Sequence, residues 1–383
     1  MPLEKEYGSK SYLRIGWLIL NAASAAIYRI ATYPFRTVRA PSLYKDALSA
    51  AVRSMMDRLT IADARYLVAP TSESYVNSYC EPQGLEPRTL KLSNKNGQGI
   101  AHWMGDPDAD AVVLYCHGGG YTQPASMGNY RYLSRLVKDL NETQSKASVS
   151  VLMLAYSLAP EAVHPTQLRE AAVVLEHLIH HTGRSPSNVF LAGDSAGGNL
   201  VMSLLSHILH PHPDVFRVQL DSPLGGLLLL SPWVGFRTDY SSFKSNADLD
   251  ILSPFALRKW SAMFLGKANK INPEIDPGPV SGDQWTDVCL NPPSWWEGMH
   301  HVVSGVFIWW GAHEVFVDSV RELERNFRTG WTDGGGDRER VLFLESAGEA
   351  HVAPISDTML PGGGKKSDAQ LEIEEWLKSR LHQ

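Results

Sequence analysis

The sequence predicts an α/β fold in which a mostly parallel central sheet is covered by helices on both faces. The first observation is a series of short apolar runs of four to eight residues, as expected for strands buried on both faces. The second is that helical patterns separate most of these runs, which is typical of parallel sheets. The third is composition, since 44 % of the 383 residues are hydrophobic and 20 % are charged, as in globular proteins.

The predicted strands begin after about residue 110. They lie at 111–115, 149–156, 188–192, 226–230, 306–310 and 341–344. A helix is predicted over 166–181, where Leu168, Ala172 and Leu175 follow helical spacing directly after a proline. A second helix is predicted over 199–210.

The chain is predicted to divide into a helical cap region over residues 1–104 and an α/β domain over residues 105–383. The first 95 residues are rich in Ala, Leu and Arg and contain few strand-like runs. Residues 237 to about 300 separate two predicted strands and are rich in Trp, Pro and Asp. This stretch is too long for a plain crossover, so we interpret it as an inserted lid that completes the cap.

The N-terminal segment Ile15–Tyr28 is apolar and is flanked by Arg14 and Arg29. It is shorter than the roughly 20 apolar residues that a spanning helix needs. Ala23-Ser24-Ala25 also fits a signal-peptide cleavage pattern. Three interpretations stay open: a helix packed on the domain or lying on a membrane surface, a short anchor, and a signal peptide. We expect a cytoplasmic protein, with peripheral membrane association through residues 13–30 as an open alternative.

Charge and cysteine content exclude several classes of function. The formal net charge of −6 provides no basic surface for nucleic acid. The cysteines are Cys80, Cys116 and Cys289. They allow one bridge at most, so a disulfide framework is excluded.

No metal site is predicted from the histidine pattern. Two clusters stand out along the chain, namely His177, His180, His181 and His207, His210, His212. Neither has a paired carboxylate at ligand spacing or an H-E-x-x-H pattern. We therefore predict neither a metal nor an organic cofactor.

The strongest motif is G-x-S-x-G at Gly193–Gly197, directly after a predicted strand and before a predicted helix. This context is that of a nucleophile elbow, a sharp turn that exposes a serine hydroxyl. Side chains at Gly193 or Gly197 would collide across so tight a turn. The helix that follows directs its N-terminus towards Ser195 and favours developing negative charge. Ser195 is therefore the predicted nucleophile.

A second motif, His117-Gly118-Gly119-Gly120-Tyr121, also follows a predicted strand. Three successive glycines let the backbone approach a substrate carbonyl, so that N–H groups can face an oxyanion. The predicted oxyanion donors are the amides of Gly118, Gly119 and Ala196. His117 is expected to shape the loop and not to serve as the base.

A serine needs an adjacent base to become nucleophilic, and in elbow-bearing folds the chain order is serine, acid, histidine. Glu314 and Asp318 follow the predicted strand 306–310, and only His351 and His382 come later. His382 is the penultimate residue, so His351 is the predicted base. Glu314 is the favoured acid because it lies closer to the strand end, and Asp318 stays open as the alternative.

These segments resemble the hormone-sensitive-lipase-like branch of the α/β hydrolases, which includes arylacetamide deacetylases. The resemblance rests on four segments: 117–121, 156–161, 193–200 and the late acid–histidine pair. The chain departs from the branch at Ser157, where Arg is usual, and at Glu314, where Asp is usual. The resemblance covers roughly residues 105–383.

The resemblance implies hydrolysis of carboxylic esters through an acyl-enzyme, without a cofactor. We expect a small hydrophobic ester as substrate, with a short acyl group on a sterol or a secondary metabolite. Tyr121, Trp260 and Trp295 are the predicted substrate-binding residues, since aromatic side chains commonly line such pockets. Acyl transfer or cyclisation by the same residues is an alternative. A non-catalytic ligand-binding relative is another, although the presence of His351 argues against it.

Overall fold

The computed structural model describes residues 10–142, 147–360 and 365–381. Eight strands form one sheet in the order β1-β2-β4-β3-β5-β6-β7-β8. They are β1 (Thr89–Asn94), β2 (Gly97–Met104), β3 (Ala111–Cys116), β4 (Val149–Leu154), β5 (Val189–Asp194), β6 (Gly226–Leu230), β7 (Val306–Gly311) and β8 (Val341–Ser346). The first three in sheet order, β1, β2 and β4, pair antiparallel. All other pairs are parallel, which confirms the predicted fold class.

The helices cover both faces of this sheet and extend above its carboxyl edge. They are α1 (Lys10–Thr32), α2 (Leu43–Arg58), α3 (Ile61–Leu67), α4 (Thr71–Ser74), α5 (Met127–Glu142), α6 (Thr166–His180), α7 (Ala196–Leu209), α8 (Ser242–Ser245), α9 (Pro254–Phe264), α10 (Val317–Asp333), α11 (Ala353–Ser356) and α12 (Asp368–Leu381). The six predicted strands are all present, and α6 and α7 occupy the two predicted helical stretches within three residues.

The apolar runs become central strands because every residue of β3 to β7 is buried. Successive side chains of a strand point to opposite faces of a sheet. In β3, Val112 and Leu114 accordingly pack into the core shared with α6, α7 and α10. Val113 and Tyr115 pack into the opposite core, shared with α5 and α12.

The predicted boundary between cap and α/β domain at residue 104 is wrong. Both β1 and β2 lie before it, and both belong to the sheet. The helical region therefore ends before Thr89. Strand β1 escapes the sequence pattern because it lies at the edge of the sheet and is only half-buried, so its sequence TLKLSN lacks a continuous apolar run. Strand β2 escapes it because its sequence GQGIAHWM mixes glycine and polar residues with apolar ones, and only part of it is buried.

The cap holds the two loops that carry the candidate site. From α3, Arg65 donates hydrogen bonds to the carbonyl oxygens of Thr122 and Ala159. From α2, the ammonium of Lys45 lies 2.9 Å from the carboxylate of Glu349, two residues before His351. The helices α8 and α9 come from the inserted stretch, as the sequence predicts. Cap and insert together cover the carboxyl edge of the sheet.

Within the described residues, one stretch is long and apolar enough to cross a membrane, Tyr12–Phe35. Its helix α1 packs along α2 and buries Leu18 and Ala22. Arg29 of the same helix forms a buried, bidentate ion pair with Asp46 of α2, with N–O distances of 2.7 and 2.6 Å. One side of α1 is thus part of the folded protein.

Candidate active site

Five segments meet at the carboxyl edge of the sheet, where loops from parallel strands converge. Ser195 follows β5, Glu314 follows β7 and His351 follows β8. The glycine loop at 118–120 follows β3, and Ser231 follows β6. Residues separated by more than 200 positions in sequence therefore lie within one site.

Ser195 stands on the predicted elbow between β5 and α7, with φ of 51° and ψ of −118°. A Cβ on Gly197 would overlap the carbonyl oxygen of Cys116, and one on Gly193 would lie 2.7 Å from the carbonyl of Gly197. Both distances are below any normal contact, so glycine is required at each position. The turn raises the serine hydroxyl over the N-terminus of α7.

Ser195, His351 and Glu314 form a continuous hydrogen-bonded chain. Nε2 of His351 lies 2.9 Å from Oγ of Ser195, and Nδ1 lies 2.9 Å from Oε2 of Glu314. Because the carboxylate only accepts, Nδ1 carries the proton and Nε2 can accept the proton of the serine. Burial lowers the pKa of His351, but the hydrogen bond and charge of Glu314 outweigh it, and the net pKa is raised. This arrangement can activate a serine for attack on a carbonyl carbon.

Further hydrogen bonds hold Glu314 in place. The hydroxyl of Ser231 donates to Oε1 at 2.6 Å, and the amide of Gly311 donates to the same oxygen at 2.5 Å. Asp318, the alternative acid, lies elsewhere and accepts from the Ser241 hydroxyl and the Ser242 amide. Of the two carboxylates, Glu314 is the one in contact with His351.

Asp250 is another buried carboxylate at this end of the sheet, and no sequence motif marked it. Its Oδ2 accepts from the amide of Val315 at 2.6 Å, so it anchors the peptide next to Glu314. Burial raises its pKa, and the nearby charge of Glu314 adds to that rise.

The glycine loop corrects one predicted oxyanion donor. The amide of Gly118 donates to Oδ1 of Asp194 at 2.8 Å, so it is not available to a substrate. In the described part of the chain, the amides of Gly119, Gly120 and Ala196 have no hydrogen-bond partner. Gly120 therefore replaces Gly118 in the donor set. The sequence could not distinguish the three glycines because any of their amides can face the site.

The carboxylate of Asp194 holds the glycine loop in place through hydrogen bonds. Its Oδ1 accepts hydrogen bonds from the Tyr115 hydroxyl, the Gly118 amide and the Asn129 side chain, at 2.7, 2.8 and 3.0 Å. Burial raises the pKa of this carboxyl. Its position beside Ser195 in the elbow motif was the one available sequence signal.

His117 has the shaping role expected of it. Burial lowers its pKa to about 4, so the ring is neutral. Its Nδ1 donates to the carbonyl oxygen of Gly118 at 2.7 Å, and its Nε2 accepts from the hydroxyl of Thr71 at 3.2 Å. The ring thereby ties the glycine loop to the cap.

Backbone strain is concentrated at this site. Among the described residues, the non-glycine residues with positive φ are Tyr121, Ser195, Ser231 and Val352. Each lies in one of the converging segments and is either a member of the site or adjacent to one. Such conformations cost about 1–3 kcal/mol each and persist where the surroundings enforce them. The strain therefore marks a preorganised functional site.

The structure places the three predicted substrate-binding residues in different surroundings. Trp260 of α9 lies over the glycine loop, where a Cβ on Gly120 would approach its ring to 2.5 Å. Tyr121 is fully buried, stacks on Phe264 at 3.6 Å and donates to Asn199, so it supports the loop from below and does not line a pocket. The prediction that Tyr121 binds substrate is therefore wrong.

The prediction that Trp295 binds substrate is also wrong. Its indole N–H donates to Oγ of Ser206, eleven residues along α7 from Ser195. At 1.5 Å per residue this is about 16 Å from the nucleophile. A tryptophan in an insert can pack on either end of the underlying helix, and the sequence does not specify which.

Comparison with known proteins places the chain among related hydrolases. Residues 113–297 match a family described as the alpha/beta hydrolase fold. Arylacetamide deacetylase of Oryctolagus cuniculus is 30 % identical over 175 residues, which are 43 % of this chain and 41 % of that protein. An acetyl-hydrolase of Streptomyces hygroscopicus is 27 % identical over 232 residues, 60 % of this chain and 66 % of that protein.

Solved structures agree on the fold. An esterase from the bacterial hormone-sensitive lipase family superposes with a TM-score of 0.57 at 22 % identity, covering 94 % of this chain and 98 % of that one. The chain spans about half the length of the first curated relatives it matches, 51 % and 55 %.

Proposed function

We propose that the chain, whose residues 113–297 match a family described as the alpha/beta hydrolase fold, is a serine hydrolase of carboxylic esters that acts through an acyl-enzyme. The observation that carries this proposal is the continuous chain from Ser195 through His351 to Glu314, with two contacts of 2.9 Å. The unpartnered amides of Gly119, Gly120 and Ala196 beside Ser195 support it. In this proposal they form the oxyanion hole.

In the acylation step, Oγ of Ser195 attacks the ester carbonyl carbon and Nε2 of His351 takes the serine proton. Negative charge develops on the carbonyl oxygen and is stabilised by the three amides and the N-terminus of α7. Glu314 stabilises the imidazolium. His351 then delivers its proton to the leaving alcohol. A water molecule, activated by the same ring, hydrolyses the acyl group from Ser195.

The proposed substrate is a short-acyl ester of a hydrophobic alcohol, of the sterol or secondary-metabolite type. Ser195 and His351 are only 8 % and 4 % exposed, so the ester must bind beneath the cap. Trp260 lies over the glycine loop, and the ring of Phe316 contacts His351 edge-on at 5.2 Å. Apolar surroundings favour a hydrophobic group. The names acetyl-hydrolase and arylacetamide deacetylase among the relatives support a short acyl group.

Turnover of p-nitrophenyl esters from acetyl to dodecanoyl tests this proposal. We expect fast cleavage of acetyl and butyryl esters and a steep decline with longer chains, because the covered site restricts acyl length. Product analysis with a competing alcohol distinguishes hydrolysis from acyl transfer. No cleavage at any chain length, combined with no labelling of Ser195 by a fluorophosphonate, would contradict the proposal.

We also propose that α1 lies on a membrane surface. Its side opposite α2 exposes Leu13, Trp17, Leu20 and Ile27, and no charged residue occurs between Ile15 and Tyr28. This is the pattern of an interfacial helix. Crossing the bilayer would break the buried ion pair between Arg29 and Asp46, so a surface position fits better than a span. A cytoplasmic location stays a prediction.

Cosedimentation with phosphatidylcholine–phosphatidylglycerol vesicles checks this position. We expect the protein to bind and to be released by alkaline carbonate, which leaves spanning proteins in the pellet. Leu20→Asp should abolish binding, because it places a charge in the apolar face. Ile271→Asp is the matched control, since Ile271 is a fully exposed apolar residue of the insert. Resistance to carbonate would indicate a spanning helix.

A further inference from the structure

Three side chains from separate parts of the chain meet on the face of the molecule beneath the insert. They are His164, which precedes α6, His212, which follows α7, and Asp283 of the insert. One ligand atom from each lies within 4.8 Å of the others. We propose that these residues form a zinc site that fastens the insert to the sheet-covering helices α6 and α7.

His164 supplies the clearest evidence for a missing partner. Its side chain is 9 % exposed, and its Nε2 is buried without a hydrogen-bond partner among the described residues. That nitrogen lies 3.5 Å from Oδ2 of Asp283, too far for a good hydrogen bond. Two ligands of a tetrahedral zinc ion at about 2.0–2.1 Å are about 3.3 Å apart. The observed distance therefore suits a shared metal ion better than a direct contact.

Asp283 is oriented as a metal ligand is. Its Oδ1 accepts hydrogen bonds from the amides of Trp285 and Thr286 and from the Thr286 hydroxyl, at 3.0, 3.0 and 2.8 Å. These three donors fix the carboxylate and leave Oδ2 directed at His164, as outer partners of metal ligands do. A carboxylate oxygen is among the ligands that zinc accepts in proteins.

His212 completes the set with one local adjustment. The ring of His212 would bind zinc through the lone pair of one nitrogen. Its Nδ1 accepts a hydrogen bond of 3.1 Å from the amide of Asp214. This bond must open whichever ring nitrogen binds the metal, at the cost of one hydrogen bond. Structural zinc sites bind with far larger free energies.

Two imidazoles and one carboxylate suit zinc, with water in the fourth position. Asp283 is 42 % exposed, which gives the ion a path from solvent. The site would also be linked to the candidate active site. His164 packs edge-on against Phe264, which stacks on Tyr121, the residue after the glycine loop. Zinc would therefore steady the insert and, through Phe264, the base of that loop.

Zinc titration of the chelator-treated protein, followed by calorimetry and thermal unfolding, tests the site. We expect one bound zinc per chain and a higher unfolding temperature. Cobalt in the same site should show the visible absorption of a tetrahedral ion. Asp283→Asn should lower zinc affinity by about 100-fold or more, while its retained Oδ1 keeps the hydrogen bonds of the insert. His212→Ala should do the same.

The matched control is the double variant His177→Ala/His181→Ala, which removes the stacked histidine pair of α6 and should leave zinc binding unchanged. Loss of binding in this control, or retention in both Asp283→Asn and His212→Ala, would overturn the proposal. Absence of binding to the unaltered protein would do so as well. Since metal content is the readout, the result does not depend on the proposed esterase activity.

Discussion

Replacing Ser195 by alanine is expected to lower ester turnover by on the order of 10⁶-fold, because no other group can form the acyl-enzyme. The loss should appear in kcat, since the apolar contacts that bind the ester are retained. Steady-state kinetics on p-nitrophenyl acetate measures it. The variant should unfold at nearly the same temperature as the unaltered protein, because only one hydroxyl at the edge of the site is removed.

Ser203→Ala is the matched control for this experiment. Ser203 is a buried serine on the same helix, α7, two turns beyond the nucleophile. Its loss should leave turnover unchanged. If the Ser195 variant kept more than a few per cent of the activity, the nucleophile would have to be sought elsewhere.

Glu314→Gln is expected to lower kcat by on the order of 10⁴-fold. The amide oxygen of glutamine can still accept from Ser231 and Gly311, so the fold of the loop should persist. Its amide nitrogen would instead donate to Nδ1 of His351, and the ring would then carry its proton on Nε2. In that tautomer the histidine cannot accept the proton of Ser195.

The pH dependence of the same variant separates this effect from a general loss of structure. Glu314 raises the pKa of His351, and the ring must be neutral to act as a base. Activity of the unaltered protein should therefore fall as the pH drops through a midpoint above the ordinary histidine value of about 6.5. Without the carboxylate, the midpoint should move to lower pH.

Asp318→Asn serves as the control, because Asp318 is the alternative acid that the sequence left open. Asp318 contacts Ser241 and Ser242 and not His351. The expected loss of kcat is therefore small, and the midpoint of the pH dependence should not move. The reverse outcome, with Asp318 essential and Glu314 dispensable, would show that the acid has been assigned to the wrong carboxylate.

The fold could be predicted because a strand that is buried on both faces requires a run of consecutive apolar residues, which is visible in the sequence. Strands β3 to β7 are buried throughout and consist mostly of apolar residues, and the elbow glycines belong to a short motif that is visible in the sequence. The edge strand β1 contains no such apolar run, since its side chains are partly exposed to solvent. The predicted domain boundary failed for this reason.

The other wrong predictions named a suitable type of residue but not the direction in which its backbone amide or its ring points. The motif at 117–121 shows that backbone amides are free to approach a substrate, but not which amide is already used. Asp194 takes that of Gly118, and only the packed loop reveals it. Tyr121 and Trp295 are aromatic residues near the motif and in the insert, yet their rings face the core and the far end of α7.

The fold class and the reactive groups could be identified from local sequence: an elbow serine, a glycine loop, and a late acid and histidine in the right order. These follow from local sterics and periodicity, which act over a few residues. Which of these groups touch depends on the packing of the whole chain. It joined Glu314 to His351, placed Asp250 behind them, and gathered His164, His212 and Asp283 from segments up to 119 positions apart, because contacts between distant segments depend on packing that no local pattern encodes.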